Sequence, residues 1–373
     1  MGFLDGVSPL GYLLGSDPLA IQILALGTKL VLALTFLRFV RVSSAVLLVA
    51  SILLAMTLTG ALTDAAHGQF SAVATLRYLA FTVSLLLTLA LVGREHVAAY
   101  CRYLVVTPLL VAACHIALAH LGALASNGSR VFYVGGGHPN LGGEIAAAAA
   151  FAAAVAFRPR LALLILAVFF YSALLMQARA ALIVIALIGI VVVAKVMVTG
   201  WSKNWLALVL VQAPLLGAIV LIANWTFVTS LLDAVLLIDD PSRGVESGAV
   251  GRYQQWALGW ELFAQSPLFG TGLAVFESGG VDSPHNAFLF GLSQHGILSI
   301  AFWAVIARAL IRCLKVDPWF AAMALSFAVL LMLNDRFINL NQYPFCFFAL
   351  VLIVGGSKRG APLSAPSTRL VPA

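Results

Sequence analysis

The sequence predicts an all-α fold: a polytopic transmembrane bundle of about 11–12 helical spans, with one long loop that carries a surface helix. Three observations lead there. Hydrophobic residues make up 62% of the 373 and charged residues 9%, with a mean hydropathy of +1.05, whereas a soluble domain is about 25% charged. Apolar runs of roughly 17–22 residues recur from end to end, each long enough for a hydrocarbon core of about 30 Å. The runs are continuous and not alternating, so the backbone pairs within each segment as a helix and not across a closed barrel.

In chain order the spans are expected at 19–38, 44–63, 73–93, 98–121, 141–157, 161–177, 180–198, 205–223, 297–314, 319–334 and 343–356. The interruption at Gln177-Ala178-Arg179 reads either as a loop between two spans or as the bend of one helix. A single domain, 1–356, holds the bundle, with loop 224–296 inserted, and a Pro-, Ser- and Ala-containing tail, 357–373, is expected to be disordered and cytoplasmic. Weak helix breaks are expected at Gly142-Gly143 and Pro214, without the inverted pair of broken helices that marks many transporters. Residues 1–18 lack a basic n-region and a small-residue cleavage site, so no cleavable signal peptide is expected. Cys101, Cys114, Cys313 and Cys346 have no metal or disulfide spacing and read as small core hydrophobes.

Orientation follows from Lys and Arg in the short loops and span ends. One set of alternate loops holds fourteen (Arg38, Arg41, Arg94, Arg102, Arg158, Arg160, Lys195, Lys203, Arg308, Arg312, Lys315, Lys358, Arg359, Arg369). The other holds six (Arg77, Arg130, Arg179, Arg243, Arg252, Arg336), and Lys29 lies inside the first span. The first set is therefore cytoplasmic and loop 224–296 faces outward. The net charge of +7 is this bias, helped by anionic membrane lipids, and calls for no nucleic acid. The outward arginines are the informative minority, because topology does not need them.

Loop 224–296 opens semi-apolar, turns at Asp239-Asp240-Pro241, and then reads as an amphipathic helix from about Ala249 to Gln265. Tyr253, Trp256, Trp260 and Phe263 fall on one side at headgroup depth, with Arg252 and Gln255 on another. Ser266-Pro267-Leu268-Phe269-Gly270-Thr271-Gly272 makes a glycine-punctuated turn. A second outward segment, 122–140, ends in Gly135-Gly136-Gly137-His138-Pro139-Asn140, where the glycines open conformations closed to other residues. His138 and Asn140 then stand just above the next span.

The candidate chemistry gathers at this face. His285, in Ser283-Pro284-His285-Asn286, stands where the long loop re-enters the membrane. An imidazole, with an ordinary pKa of about 6.5, accepts a proton at neutral pH; the plainer alternative is an interfacial histidine that caps a helix. Arg179 either snorkels at a helix end or uses its planar fork on phosphate oxygens. Arg252 is either a partner in that task or a solvated position of the loop helix, and Arg336 either joins it or pairs with Asp335. His138 and Glu144 form a second polar patch, although a carboxylate near a helix N-terminus is favoured by the dipole alone. Glu277 and Asp282 could orient the imidazole or simply be solvated. No serine triad, zinc spacing or nucleotide-binding loop is present, and Asp239-Asp240 adjoin a proline turn, so a metal-independent reaction without a cofactor is expected. A base and guanidiniums at one membrane face point to an anionic, lipid-linked substrate.

At these residues the chain resembles the superfamily of O-antigen ligases and polymerases, bacterial polytopic membrane glycosyltransferases. The likeness rests on Gln177-Ala178-Arg179-Ala180-Ala181, on Gly251-Arg252-Tyr253-Gln254-Gln255-Trp256 with Ser266 to Gly272, and on Pro284-His285-Asn286-Ala287-Phe288-Leu289 with Gln294-His295-Gly296-Ile297-Leu298. Gly137-His138-Pro139-Asn140-Leu141-Gly142 resembles an upstream element of the same family, so the likeness covers roughly 135–315. Ala178 departs from the serine usual before the first arginine, and eleven spans are one short of the usual twelve.

The resemblance implies a donor glycan on undecaprenyl diphosphate and a lipid- or sugar-bound acceptor, the lipid A–core among them. It places the chain among the lipids of the bacterial inner membrane, with its site on the periplasmic side. By the same resemblance Arg179 and Arg252 bind the diphosphate and stabilise the leaving group, while His285 takes the acceptor's proton and the anomeric carbon inverts. His138, Asn140, Asn286, Trp256 and Arg336 complete the implied substrate-binding set. Ligase activity is the expectation; a polymerase using the same site is the alternative. A transporter of an anionic solute would need ionisable residues inside the spans, of which Lys29 is the main one, and a non-catalytic assembly subunit would tolerate loss of the outward arginines.

Overall fold

Each apolar run among the described residues forms a helix because peptide groups in hydrocarbon have no partner but each other, and residues at the run boundaries cap what is left over. The computed structural model describes residues 1–7, 9–14, 18–35, 43–127, 130–200, 250–276, 283–333 and 344–356. The expected span 205–223, Arg243, Glu277, Asp282, Arg336 and the tail 357–373 lie outside the described residues.

The helices are α1 (Gly2–Gly6), α2 (Pro9–Leu13), α3 (Pro18–Thr35), α4 (Ser44–Ala66), α5 (Ala72–Leu91), α6 (Val97–His120), α7 (Pro139–Ala156), α8 (Pro159–Leu175) and α9 (Arg179–Gly200). They continue with α10 (Val250–Gln265), α11 (Ala287–His295), α12 (Ile297–Val316), α13 (Pro318–Met332) and α14 (Pro344–Gly356). Between α6 and α7 a two-stranded antiparallel hairpin pairs β1 (Ser126–Asn127) with β2 (Arg130–Val131). Among the described residues six helices are long and apolar enough to cross a membrane, and the fold is the polytopic helical bundle that the sequence predicts. Ser43, Ser71 and Asp317 cap α4, α5 and α13 by accepting from Val46 N, Ala74 N and Phe320 N at 3.2, 3.1 and 2.9 Å.

α7 is the central element and packs against α6, α8, α9, α13 and α14. Its run of alanines, Ala146 to Ala150 and Ala152 to Ala154, is buried, and such small residues let helix backbones approach closely in a membrane. A phenylalanine layer, with Phe151, Phe327 and Phe347 stacked at 5.6 Å centroid spacing, closes the core around it. Leu47, Leu54, Leu58 and Leu62 on α4 are exposed while Leu53 and Met56 are buried, so α4 has one face on the bundle and one for lipid.

One local expectation changes and another is settled. α7 runs unbroken through Gly142-Gly143, because these glycines give room to neighbours instead of bending the chain. The break at Gln177-Ala178-Arg179 does divide two helices, α8 and α9. α1 and α2 fold against α6 and the first span, α3. Asp5 there pairs with Lys29 and accepts from Tyr100 at 2.8 Å and Thr88 at 3.3 Å, while Lys29 donates to Ser84 at 2.6 Å. The cation inside the first span is thus neutralised and hydrogen-bonded, which is the condition for a buried charge to be tolerated. All four cysteines are free.

Candidate active site

α4, α6, α8 and α13 finish, and α5, α7, α9 and α12 begin, at one end of the bundle, the end expected to face outward. The first half of the site is the α8–α9 junction. Ala178 N donates to Ala173 O at 3.0 Å and Gln177 N to Leu174 O at 2.9 Å, a Schellman ending that puts Gln177 at φ +50°. That left-handed position commonly goes to glycine. Arg179, half-buried, opens α9 two residues later, its backbone N donating to Gln177 O at 3.1 Å. From the hairpin, Arg130 Nε donates to Met176 O at 3.0 Å and Nη2 to Asn140 Oδ1 at 2.6 Å. Asn140 N donates to His138 Nδ1 at 3.3 Å, so the imidazole caps α7. α7 can come this close because Gly143 has no side chain: a Cβ there would overlap that of Ala178, and one on Gly142 would stand 2.5 Å from Met176 Sδ. His138, Asn140 and the Arg179 turn therefore form one connected surface, with Glu144 buried beneath it.

The second half is the junction of α10 and α11. Loop helix α10 spans Val250–Gln265, within one residue of expectation. Asn286 caps α11 by accepting from Phe288 N and Leu289 N at 3.0 and 3.1 Å. The cap thus belongs to the asparagine and not to His285, whose backbone lies at φ +44°. A Cβ on Gly259 would stand 2.8 Å from Pro284 Cβ and 3.3 Å from Leu289 Cβ, so α10 crosses the His285 step at backbone distance. Arg252 precedes Gly259 by seven residues, close to two full turns and about 10 Å along the helix, which sets its backbone on the stripe that meets α11. The aromatics of α10 do not act as one face: Tyr253 and Trp260 are exposed, whereas Trp256 and Phe263 are half-buried. Packing at Gly259 draws in the edge of the helix that carries Trp256, whose Nε1 is shielded and has no hydrogen-bond partner among the described residues.

A buried polar network, not anticipated from the sequence, ties this half to the bundle. Asp64 at the end of α4 accepts from Leu273 N at 3.1 Å and Ala274 N at 3.2 Å. Gln294 Nε2 donates to Leu273 O at 3.0 Å, its Oε1 accepts from Tyr78 OH, and His295 Nδ1 lies 3.2 Å from Met56 O. Backbone bonds lock the 266–272 turn onto the α11–α12 junction: Thr271 N to Ser293 O at 2.8 Å, Gly272 N to Gln294 O at 3.3 Å and Ile297 N to Pro267 O at 2.9 Å. The one signal available in the sequence was that the 266–272 and 294–298 stretches both carry the family resemblance; Asp64 itself has no motif around it.

In this arrangement the His285 step, the hydrogen-bonded His138 and Asn140, and the backbone positions of two arginines share one end of the bundle. No curated protein matches the chain. The model of the O-antigen ligase family matches residues 145–304, which include Arg179, Arg252, Trp256, His285 and Asn286 and begin just after His138 and Asn140. Over these residues the chain is similar to the O-antigen ligase family, the same family that its motifs resemble.

Proposed function

We propose that the protein transfers a glycan from undecaprenyl diphosphate to an acceptor hydroxyl at the periplasmic face of the inner membrane, as an O-antigen ligase. The observation that carries this reading is backbone strain. Among the described residues only Gln177 and His285 are non-glycine residues with positive φ. One lies two positions before Arg179 and the other is the expected base. Such conformations persist where the surroundings over-determine them, and they concentrate at functional sites.

In the reaction, His285 accepts the acceptor's O–H proton as that oxygen attacks the anomeric carbon. The bond from that carbon to the diphosphate oxygen breaks, with inversion. Arg179 and Arg252 meet the charge that develops on the departing diphosphate. Removing one donor of this kind costs about 10²–10³-fold in rate. Arg179→Ala and Arg252→Ala are therefore each expected to lose that much transfer to acceptor, measured in membranes at matched protein levels. Arg→Lys at the same positions should recover only part, because an ammonium lacks the two-pronged geometry. Transfer near the wild-type rate in both alanine variants would remove these residues from the site. The glycan stranded on the carrier in cells lacking the protein separates the two family activities: a long polymer marks a ligase and a single repeat unit a polymerase.

A further inference from the structure

We infer that Arg130 is a positioning residue of this site, which holds the Met176–Ala178 turn against Asn140 and so sets where Arg179 stands. The inference rests on the proposed transfer reaction. The carbonyl of Met176 belongs to the last turn of α8, where the helix leaves acceptors without internal partners. Arg130 Nε reaches in from the hairpin to fill that role at 3.0 Å, and its Nη2 holds Asn140 Oδ1 at 2.6 Å. One planar group thus spans the end of α8 and the start of α7. A lysine at this position, with one compact head, does not present two donors in that fixed geometry. Next to the clamp, Gln177 sits at φ +50°, and Arg179 N closes on Gln177 O at 3.1 Å. A glutamine in the left-handed region needs its surroundings to hold it there; Arg130 bonds the residue immediately before it. Asn140 is itself fixed by His138 Nδ1 at 3.3 Å. The hairpin arginine, the α7 cap and the Arg179 turn therefore move as one piece.

The test uses the full-length protein in membranes and after purification. Arg130→Ala is expected to lower kcat for transfer by about ten- to a hundredfold, the span that corresponds to losing control of one strained residue. Arg130→Lys should fall between it and wild type. Hydrogen exchange of the 174–182 amides should quicken in both variants while the α7 core stays protected. Glycine adopts positive φ at no steric cost, so adding Gln177→Gly to Arg130→Ala should restore at least tenfold of the Arg130→Ala loss. Direct contact of Arg130 with the donor predicts instead a raised KM, unchanged exchange and no restoration by Gln177→Gly; that set of results overturns the inference. Wild-type transfer by Arg130→Ala overturns it as well. If Arg130→Ala does not fold, the Arg130→Lys variant with and without Gln177→Gly gives the same contrast. Loss of transfer in Arg179→Ala with none in Arg130→Ala sinks this inference alone, whereas full transfer by Arg179→Ala sinks the reading on which it rests.

Discussion

Replacing His285 by asparagine is expected to lower glycan transfer by about 10²–10⁴-fold, the range for removing a general base, at an unchanged level of folded protein. Asparagine is the informative choice because of the backbone. His285 lies at φ +44°, a region that costs an ordinary side chain about 1–2 kcal/mol and that asparagine tolerates. Alanine there would mix lost chemistry with lost stability. Asparagine removes the proton acceptor and keeps the turn, and His285→Gly supplies a second variant that satisfies the backbone. Asn286 continues to cap α11 through Phe288 N and Leu289 N in each case. The measurement is the initial rate of transfer beside the thermal unfolding midpoint of the same preparation. A rate within about threefold of wild type in both variants would show that the proton goes elsewhere.

Gly270→Ala is expected to abolish transfer by a different route. Gly270 has φ +76°, and a Cβ on it would overlap the backbone C and O of Gln294. Backbone atoms in a paired turn cannot swing aside as a side-chain end does. Left-handed strain of about 1–2 kcal/mol and overpacking of about 1–3 kcal/mol add to roughly 2–5 kcal/mol. The 266–272 turn would lift from the α11–α12 junction and carry α10, with Arg252, away from the His285 step. Gly68→Ala is the control, since Gly68 has φ +68° with nothing within 4 Å of its missing Cβ. It should show only the small backbone cost and keep transfer. Equal behaviour of the two variants, by unfolding midpoint and transfer rate, would contradict the docked turn.

The architecture was legible because hydrocarbon imposes one solution on a long apolar run, and loop helix α10 was legible from its aromatic spacing. Other features turn on pairings that a linear reading cannot see. Gly142-Gly143 reads as a weak point in a helix, yet its purpose lies in Ala178, Met176 and Tyr133 on neighbouring elements. Asp5 sits in a short segment rich in glycine and proline, and only its contact with Lys29 shows that the segment belongs to the bundle. Arg130 entered the sequence reading as one charge in a topology count; its bond to Met176 O spans 46 positions. Asp64 is a lone acid at the end of an apolar run, and its partners lie more than 200 residues away. The proposed site residues were more conspicuous than their supports, because an outward arginine or a re-entrant histidine stands out in a membrane chain while the groups that hold it do not.

On the proposed reading this bundle breaks a glycan–diphosphate bond and does not merely carry the lipid. This cleavage is tested most directly by placing the purified protein in vesicles with a polyprenyl-diphosphate-linked glycan and an acceptor, and counting both products. Acceptor-linked glycan and free polyprenyl diphosphate are expected in equal amounts, both cut at least about a hundredfold in His285→Asn. Redistribution of intact donor across the bilayer, with no diphosphate released, would contradict the proposed cleavage and identify a transporter.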